Sequence, residues 1–241
     1  RATGIRPSAA VLVATVRALK YNGGVPKAEL NNPNMDALEK GIPNLLKHLE
    51  NITTVYGLPV VVAINRFPTD TEEELEFIRK KCKELGANVA LSEVWAKGGA
   101  GGIELAEEVM RLAEAPSKMT FTYDLDMPIQ DKIDAVAKRV YGADGVVYSA
   151  KAKKKMKQFE ELGFGKLPIC VAKTQYSLTD DPKKLGRPQG FKINVENITA
   201  SIGAGFLVVY TGDIMTMPGL PKVPSAENID VDENGVITGL F

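Results

Sequence analysis

The chain is poor in several things that would define its chemistry at once. It has two cysteines, Cys82 and Cys170, too few for a disulfide framework and spaced unlike any metal motif. A reducing compartment, the cytoplasm, is the expectation. There is one histidine, His48, set among Leu45, Leu46 and Leu49, where it reads as a structural residue of a helix. Charge of either sign is not in excess: 30 basic residues balance 30 acidic ones, so nothing global attracts nucleic acid or an anionic membrane. No apolar run approaches the roughly 20 residues a membrane span needs. Residues 1–20 imitate a signal peptide, with Arg1 and Arg6 before an apolar stretch, but Arg17 and Lys20 follow within a segment of strand character. There are no repeats and no low-complexity tracts. No metal site is expected: Asp230, Asp232, Asn234 and Gly235 begin like a calcium loop, yet Phe241 stands where the closing glutamate belongs, and Asn234-Gly235 reads better as a hairpin turn.

What is present is an ordinary soluble composition, 44% hydrophobic and 25% charged, in 241 residues, enough for one large domain or two modest ones. The first half alternates strands and helices. Ala9–Ala14 is a short continuous apolar run, the pattern of a strand buried on both faces. A helical period covers residues 34–52, with Pro43 predicting a kink or a later start. Pro59–Ile64 is a second buried strand. Thr71 and Glu74 form a capping box opening a helix that ends near Gly86. A third strand over Asn88–Val94 leads into a glycine-rich loop, and a helix follows over Ile103–Ala113. Such alternation implies right-handed crossovers and a mostly parallel sheet with flanking helices.

Ala115-Pro116-Ser117 is the expected boundary, dividing a region 1–116 from a smaller α/β domain over 117–241. The second region predicts helices near 129–141 and 151–162, and strands at Gly145–Ser149, Pro168–Lys173, Phe191–Val195 and Gly205–Thr211, with a polar loop over 174–190. Two short strands around Glu233-Asn234-Gly235 close the chain.

In an open parallel sheet, ligands bind beyond the carboxyl ends of the strands. Three loops should converge there: Thr15–Gly24, Asn65–Pro68 and Glu93–Gly102. The Asn65 amide has the donors and acceptor to read an adenine edge, or it holds a turn. Phe67 and Trp95, the only tryptophan, sit in loops after neighbouring strands; they can sandwich a planar heterocycle, or cover the sheet edge. Gly98–Gly102 lets backbone approach a ligand but lacks the Lys-Ser/Thr of a phosphate-binding loop.

The segment Val13-Ala14-Thr15-Val16-Arg17-Ala18-Leu19-Lys20-Tyr21-Asn22-Gly23-Gly24 resembles, along its whole length, the signature of formate–tetrahydrofolate ligases. The resemblance continues through Asn65–Thr71, Ser92–Gly99, Ala172–Ser177, Gly186–Phe191 and Met215–Pro221, and spans essentially the whole chain as the family's C-terminal portion. It implies an enzyme that joins formate to N10 of tetrahydrofolate with ATP and Mg²⁺. ATP converts formate to formyl phosphate, and the folate amine then displaces phosphate. The same resemblance implies a sheet like that of P-loop NTPases, a homotetramer, and activation by a monovalent cation, K⁺ or NH₄⁺. By it, Phe67 and Trp95 look like the pair that stacks on the pterin, with Pro68 and Leu91 as apolar walls. Asn65, Ala96, Lys97 and Gly98 look like the adenine side. Arg17, Lys20, Gly23 and Gly24 fall in the signature near the reaction centre, where the loop organises formyl phosphate or Arg17 holds a structural ion pair beneath the site. The family's phosphate-binding loop and its second glycine-rich signature are missing and belong N-terminal to Arg1. The expected partners are therefore ATP, formate, tetrahydrofolate and the N-terminal part of the same enzyme, with the isolated chain inactive.

Overall fold

The computed structural model describes residues 1–212, 214 and 221–239. It is an α/β structure with two sheets and a small hairpin. Strands β1 (Ala10–Ala14), β2 (Val60–Asn65) and β3 (Asn88–Ser92) form a parallel sheet in the order β1-β2-β3. Helix α1 (Val16–Asn22) and α2 (Met35–Glu50) connect β1 to β2, and α3 (Glu72–Glu84) connects β2 to β3. Because both crossovers move the chain one strand in the same direction with the same hand, α2 and α3 lie on one face. There Leu38, Ile42, Leu45, Leu49, Leu75 and Ile78 close over Val60, Val62 and Ile64. A short helix, α4 (Val94–Lys97), and then α5 (Ile103–Ala113) follow β3, and α5 packs on β2 and β3.

That arrangement corrects the expectation for the first strand. β2 is buried throughout its apolar length, Val60 to Ile64, but β1 is not: Val11 is 43% and Val13 62% exposed. The strand is covered on the face of α2 and bare on the other, since α5 turns back over β2 and β3 only.

Pro43 does not delay the start of α2, and the helix is continuous through it. The helix runs from an Asn34 cap, which accepts the Ala37 N–H at 2.9 Å, through Pro43 to Glu50, and continues as one wider turn over Asn51–Val55. The proline removes a single backbone bond, and the buried stripe from Ala37 to Leu49 outweighs that loss. Helices α1 and α2 approach until their backbones touch. A Cβ on Gly23 would lie 1.9 Å from the Ala37 carbonyl oxygen, and one on Gly41 would lie 1.8 Å from that of Leu19. Glycine is obligatory at both positions.

In the second half, α6 (Ile129–Val136), α7 (Ala150–Glu161), β4 (Gly145–Tyr148), β5 (Ile169–Ala172), β6 (Lys192–Ser201) and β7 (Phe206–Thr211) build a four-stranded sheet in the order β4-β6-β7-β5. Only β6 and β7 are antiparallel. Strand β6 runs six residues further than its apolar start predicts, past an irregularity between Val195 and Asn197. The hairpin β8 (Asp230–Val231) and β9 (Ile237–Thr238) turns through Gly235 at φ 79°, as Asn-Gly predicts. Met215–Leu220, part of one resembling segment, lies outside the described residues.

The two halves meet along α2. Asn51 donates to the Val140 carbonyl at 2.8 Å, Asn44 donates to the Gly186 carbonyl at 2.9 Å, and Arg187 pairs with Glu50 at 2.7 Å. Among the described residues no helix is long and apolar enough to cross a membrane.

Candidate functional site

Parallel register brings the carboxyl ends of β1, β2 and β3 to one edge, with Ala14 opposite Ile64 and Asn65 opposite Ser92. The chain after each strand is locally specified. After β1, the Thr15 hydroxyl accepts the Ala18 N–H at 3.0 Å and starts α1. After β2, the Asp70 carboxylate accepts the Phe67 N–H at 2.8 Å and folds Phe67–Asp70 into a turn just before the Thr71/Glu74 capping box. Beyond β3, Trp95 belongs to the single helical turn of α4 rather than to an open loop, and Gly98–Gly102 forms a tight 3₁₀ turn. Gly98 ends α4 at φ 58°, and Gly101 lies where a Cβ would meet the Glu93 carbonyl group at 2.5 Å.

Asn65, Arg66, Phe67, Pro68 and Trp95 line one cleft of about 240 Å³. The Trp95 ring is 82% exposed, although a ring that large is ordinarily covered. The guanidinium of Arg17 lies 5.2 Å from the centre of the Phe67 ring, so the signature helix reaches the aromatic wall. Arg66 pairs with Glu72 at 2.6 Å and with Glu93 at 3.6 Å, and Lys97 pairs with Glu93 at 2.5 Å. The hydrogen bond from Lys97, with the added charge of Arg66, holds the Glu93 carboxyl below the usual carboxylate range. These ion pairs tie the β2 turn, α3 and α4 together around the cleft. Ala96, Lys97 and Gly98 are exposed beside Trp95. Leu91 is half-buried and packs on the sheet core instead of lining the cleft.

Lys20, Gly23 and Gly24 are placed differently. Lys20 is fully buried, and its Nζ meets the Glu74 carboxylate, also fully buried, at 3.0 Å, and the Asn32 carbonyl at 2.9 Å. Glu74 further accepts the Asn34 N–H at 3.2 Å and the Thr71 N–H at 3.1 Å. Burial pushes this carboxyl up, but the hydrogen bonds from Thr71, Lys20 and Asn34 more than reverse the effect, and it lies below its ordinary value. Gly23 sits in the α1–α2 contact. Gly24 takes φ 97° in open space. Of the four signature residues, only Arg17 touches the aromatic cleft.

Sequence reading missed Glu74 as the hub beneath the site and Asp70 as the brace of Phe67. Asp70 is buried, and its second oxygen, Oδ1, has no hydrogen-bond partner among the described residues; burial pushes this carboxyl up. The helical period of α1 carries the signal for Lys20: Val16, Leu19 and Lys20 fall at i, i+3 and i+4, one buried face. Among the described residues no cluster of three or more His, Cys, Asp or Glu side chains is placed to hold a metal ion.

Parallel strands, a glycine-shaped carboxyl edge and two aromatic rings in one small cleft describe an α/β protein with a candidate ligand site where open parallel sheets take their ligands. The family model described as formate–tetrahydrofolate ligase matches residues 1–241, and the chain belongs to that family. Membership supports a ligase and implies formate, tetrahydrofolate and ATP as substrates.

Proposed function

We propose that this chain supplies the folate and adenine side of the active site of an enzyme that joins formate to N10 of tetrahydrofolate through formyl phosphate. The observation that carries the reading is the cleft in which Phe67, Pro68 and Trp95 stand together at the end of β2 and the start of α4. Phe67 and Trp95 stack on the pterin. Pro68 forms a wall, and Leu91 supports it from the core. Asn65, at the last position of β2, reads the adenine edge, with Ala96, Lys97 and Gly98 alongside. Stacking fixes the pterin plane, which orients the folate amine toward the formyl carbon. Arg17 supplies positive charge next to Phe67, where the phosphoryl and carbonyl oxygens gather negative charge. Lys20 acts beneath the site: its bond to Glu74 locks α1 to the first turn of α3, and so sets Arg17 against Phe67. Gly23 and Gly24 shape the exit of α1.

Activation of formate needs phosphate-binding groups that this chain lacks, and we assign them to the N-terminal part of the enzyme. The bare side of β1 supports this: a parallel strand is ordinarily covered on both faces, and Val11 and Val13 lack a cover. The residues at the cleft offer no carboxylate cluster for Mg²⁺. K⁺ or NH₄⁺ activation and a tetrameric assembly rest on the family alone.

Two measurements test the reading. Tetrahydrofolate should quench the fluorescence of Trp95, the single tryptophan, in the chain joined to its N-terminal part. The chain without that part should give no ATP-dependent formyltetrahydrofolate. Turnover by residues 1–241 alone would overturn the division of labour; a tryptophan signal indifferent to folate in the active, joined enzyme would overturn the stacking.

A further inference from the structure

A second cleft, of about 280 Å³, opens at the seam between the two halves and shares no residue with the aromatic one. Its walls include Asn44 and His48 of α2, Tyr141 from the turn that follows α6, and Lys173 and Thr174 at the carboxyl end of β5. The cleft is held open by built contacts. Asn44 donates to the Gly186 carbonyl, and Asn22, at the end of α1, accepts the Gly186 N–H at 3.1 Å, so both asparagines fasten the loop after β5 to the first half.

The floor of the cleft is cationic. Lys173 Nζ donates to the carbonyls of Thr174 at 2.7 Å, Thr179 at 2.9 Å, and Ser177, and lies 4.9 Å from the centre of the Tyr141 ring. Its protons are spent on carbonyl oxygens, and the carboxylate of Asp180, which accepts the Asn194 N–H at 2.8 Å, offsets its charge only from beyond ion-pair distance. Burial pushes Lys173 down to about 8, which still leaves it mostly charged at neutral pH. His48 stands at the exposed rim of the cleft; partial enclosure of its ring, with the charges of Lys173 and of Lys47 on its own helix, pushes the imidazole below its ordinary value. Burial pushes the Tyr141 phenol up to about 12, so it remains a donor. Among the described residues the His48 imidazole, the Tyr141 hydroxyl and the Thr174 hydroxyl donate to no other group. A positive charge without a direct ion-pair partner, only partly offset by Asp180 and set beside donors that no protein group engages, is complementary to an anion, and the volume, at the low end for ligand sites, favours a small one.

We propose that this seam cleft is an anion-binding site that takes a small carboxylate or phosphate oxyanion between His48, Tyr141 and Thr174, over the charge of Lys173. It does not depend on the folate reading. A ligand there would also join α2 to the loop after β5, adding to the contacts made through Gly186.

His48 is the only histidine, so its imidazole resonances report on the site without ambiguity. The chain, labelled with ¹⁵N-histidine, is titrated with pH in chloride, phosphate and succinate at matched ionic strength. In chloride the midpoint should lie below 6.5. A bound anion should raise it by about one pH unit, the size of effect an opposite charge within contact distance produces. Tyr141→Phe should weaken anion binding about tenfold or more, as loss of a hydrogen bond to a charged group does. A rise with phosphate alone or succinate alone identifies which oxyanion chemistry the site takes. Identical titrations in all three salts would overturn the proposal. So would a rise that survives unchanged in both Tyr141→Phe and Thr174→Ala, since it would then be general screening. Circular dichroism of each variant establishes that it is folded; if Tyr141→Phe is not, Thr174→Ala alone decides.

Discussion

Replacing Trp95 by alanine isolates the stacking contribution, because the ring contributes little to the fold. It is 82% exposed and lies on a single-turn helix. An aromatic side chain offers roughly 200 Å² to bury, and one face of a ring exposed to this degree amounts to about 80 Å². At about 25 cal/mol per Å², covering that face with a pterin is worth about 2 kcal/mol. This agrees with the ~1–3 kcal/mol found for ring stacking on heterocyclic bases. The expected outcome is a tetrahydrofolate dissociation constant raised about thirtyfold. The assay is calorimetric titration in the enzyme joined to its N-terminal part, with ATP titrated in parallel. ATP affinity should change little, thermal stability should be unaltered, and Trp95→Phe should recover much of the loss. Equal damage to ATP and folate binding would mean the ring props up the whole edge. An unchanged folate constant would remove Trp95 from the site.

Three further outcomes are expected. Glu74→Gln leaves Lys20 buried without its counter-charge and should cost about 3–5 kcal/mol in denaturant unfolding; because the folded carboxyl lies below its unfolded value, its contribution is fully present above about pH 4.3 and is lost as pH falls through the folded value, and the variant should lack that acid-side slope. Gly41→Ala drives a methyl group into the Leu19 carbonyl and should destabilise by at least ~1–3 kcal/mol, whereas Gly24→Ala, in open space but at φ 97°, should lose only ~1–2 kcal/mol of backbone strain; equal melting temperatures for wild type and Gly41→Ala would refute the contact. Asn65→Ala should weaken ATP by about 1–3 kcal/mol and folate by less, and unchanged ATP affinity would return Asn65 to a turn-forming role.

Much of this architecture is legible locally. The capping box of Thr71 and Glu74, the run Val60–Ile64 and the Asn234-Gly235 turn each specify their structure within a few residues. The features that escaped depend on groups far apart in the chain. Whether Ala10–Ala14 is covered on one face or two depends on where α5 returns, about ninety residues later, and no periodicity within the strand carries that. Lys20 reads as a free cation in a functional signature until its partner, 54 residues away, is known, although its place on the buried stripe of α1 was there to be read. Pro43 misleads about where α2 starts because local propensity ignores the packing that keeps the helix continuous through it. At the cleft, the two rings follow from their positions after neighbouring strands, while the brace from Asp70 and the Arg66–Glu93–Lys97 ties required coordinates.

Helix α1 is only seven residues long, too short to be stable unless its surroundings hold it. Those surroundings include the cleft at one end, where Arg17 meets Phe67, and the seam at the other, where Asn22 receives Gly186. Two helical turns are too stiff to absorb a displacement by bending. The same seven residues therefore carry one contact to each place, Arg17 to the aromatic wall and Asn22 to the loop after β5. The segment that reads as a ligand signature is also a strut, and a substitution within it is to be judged by both of its ends.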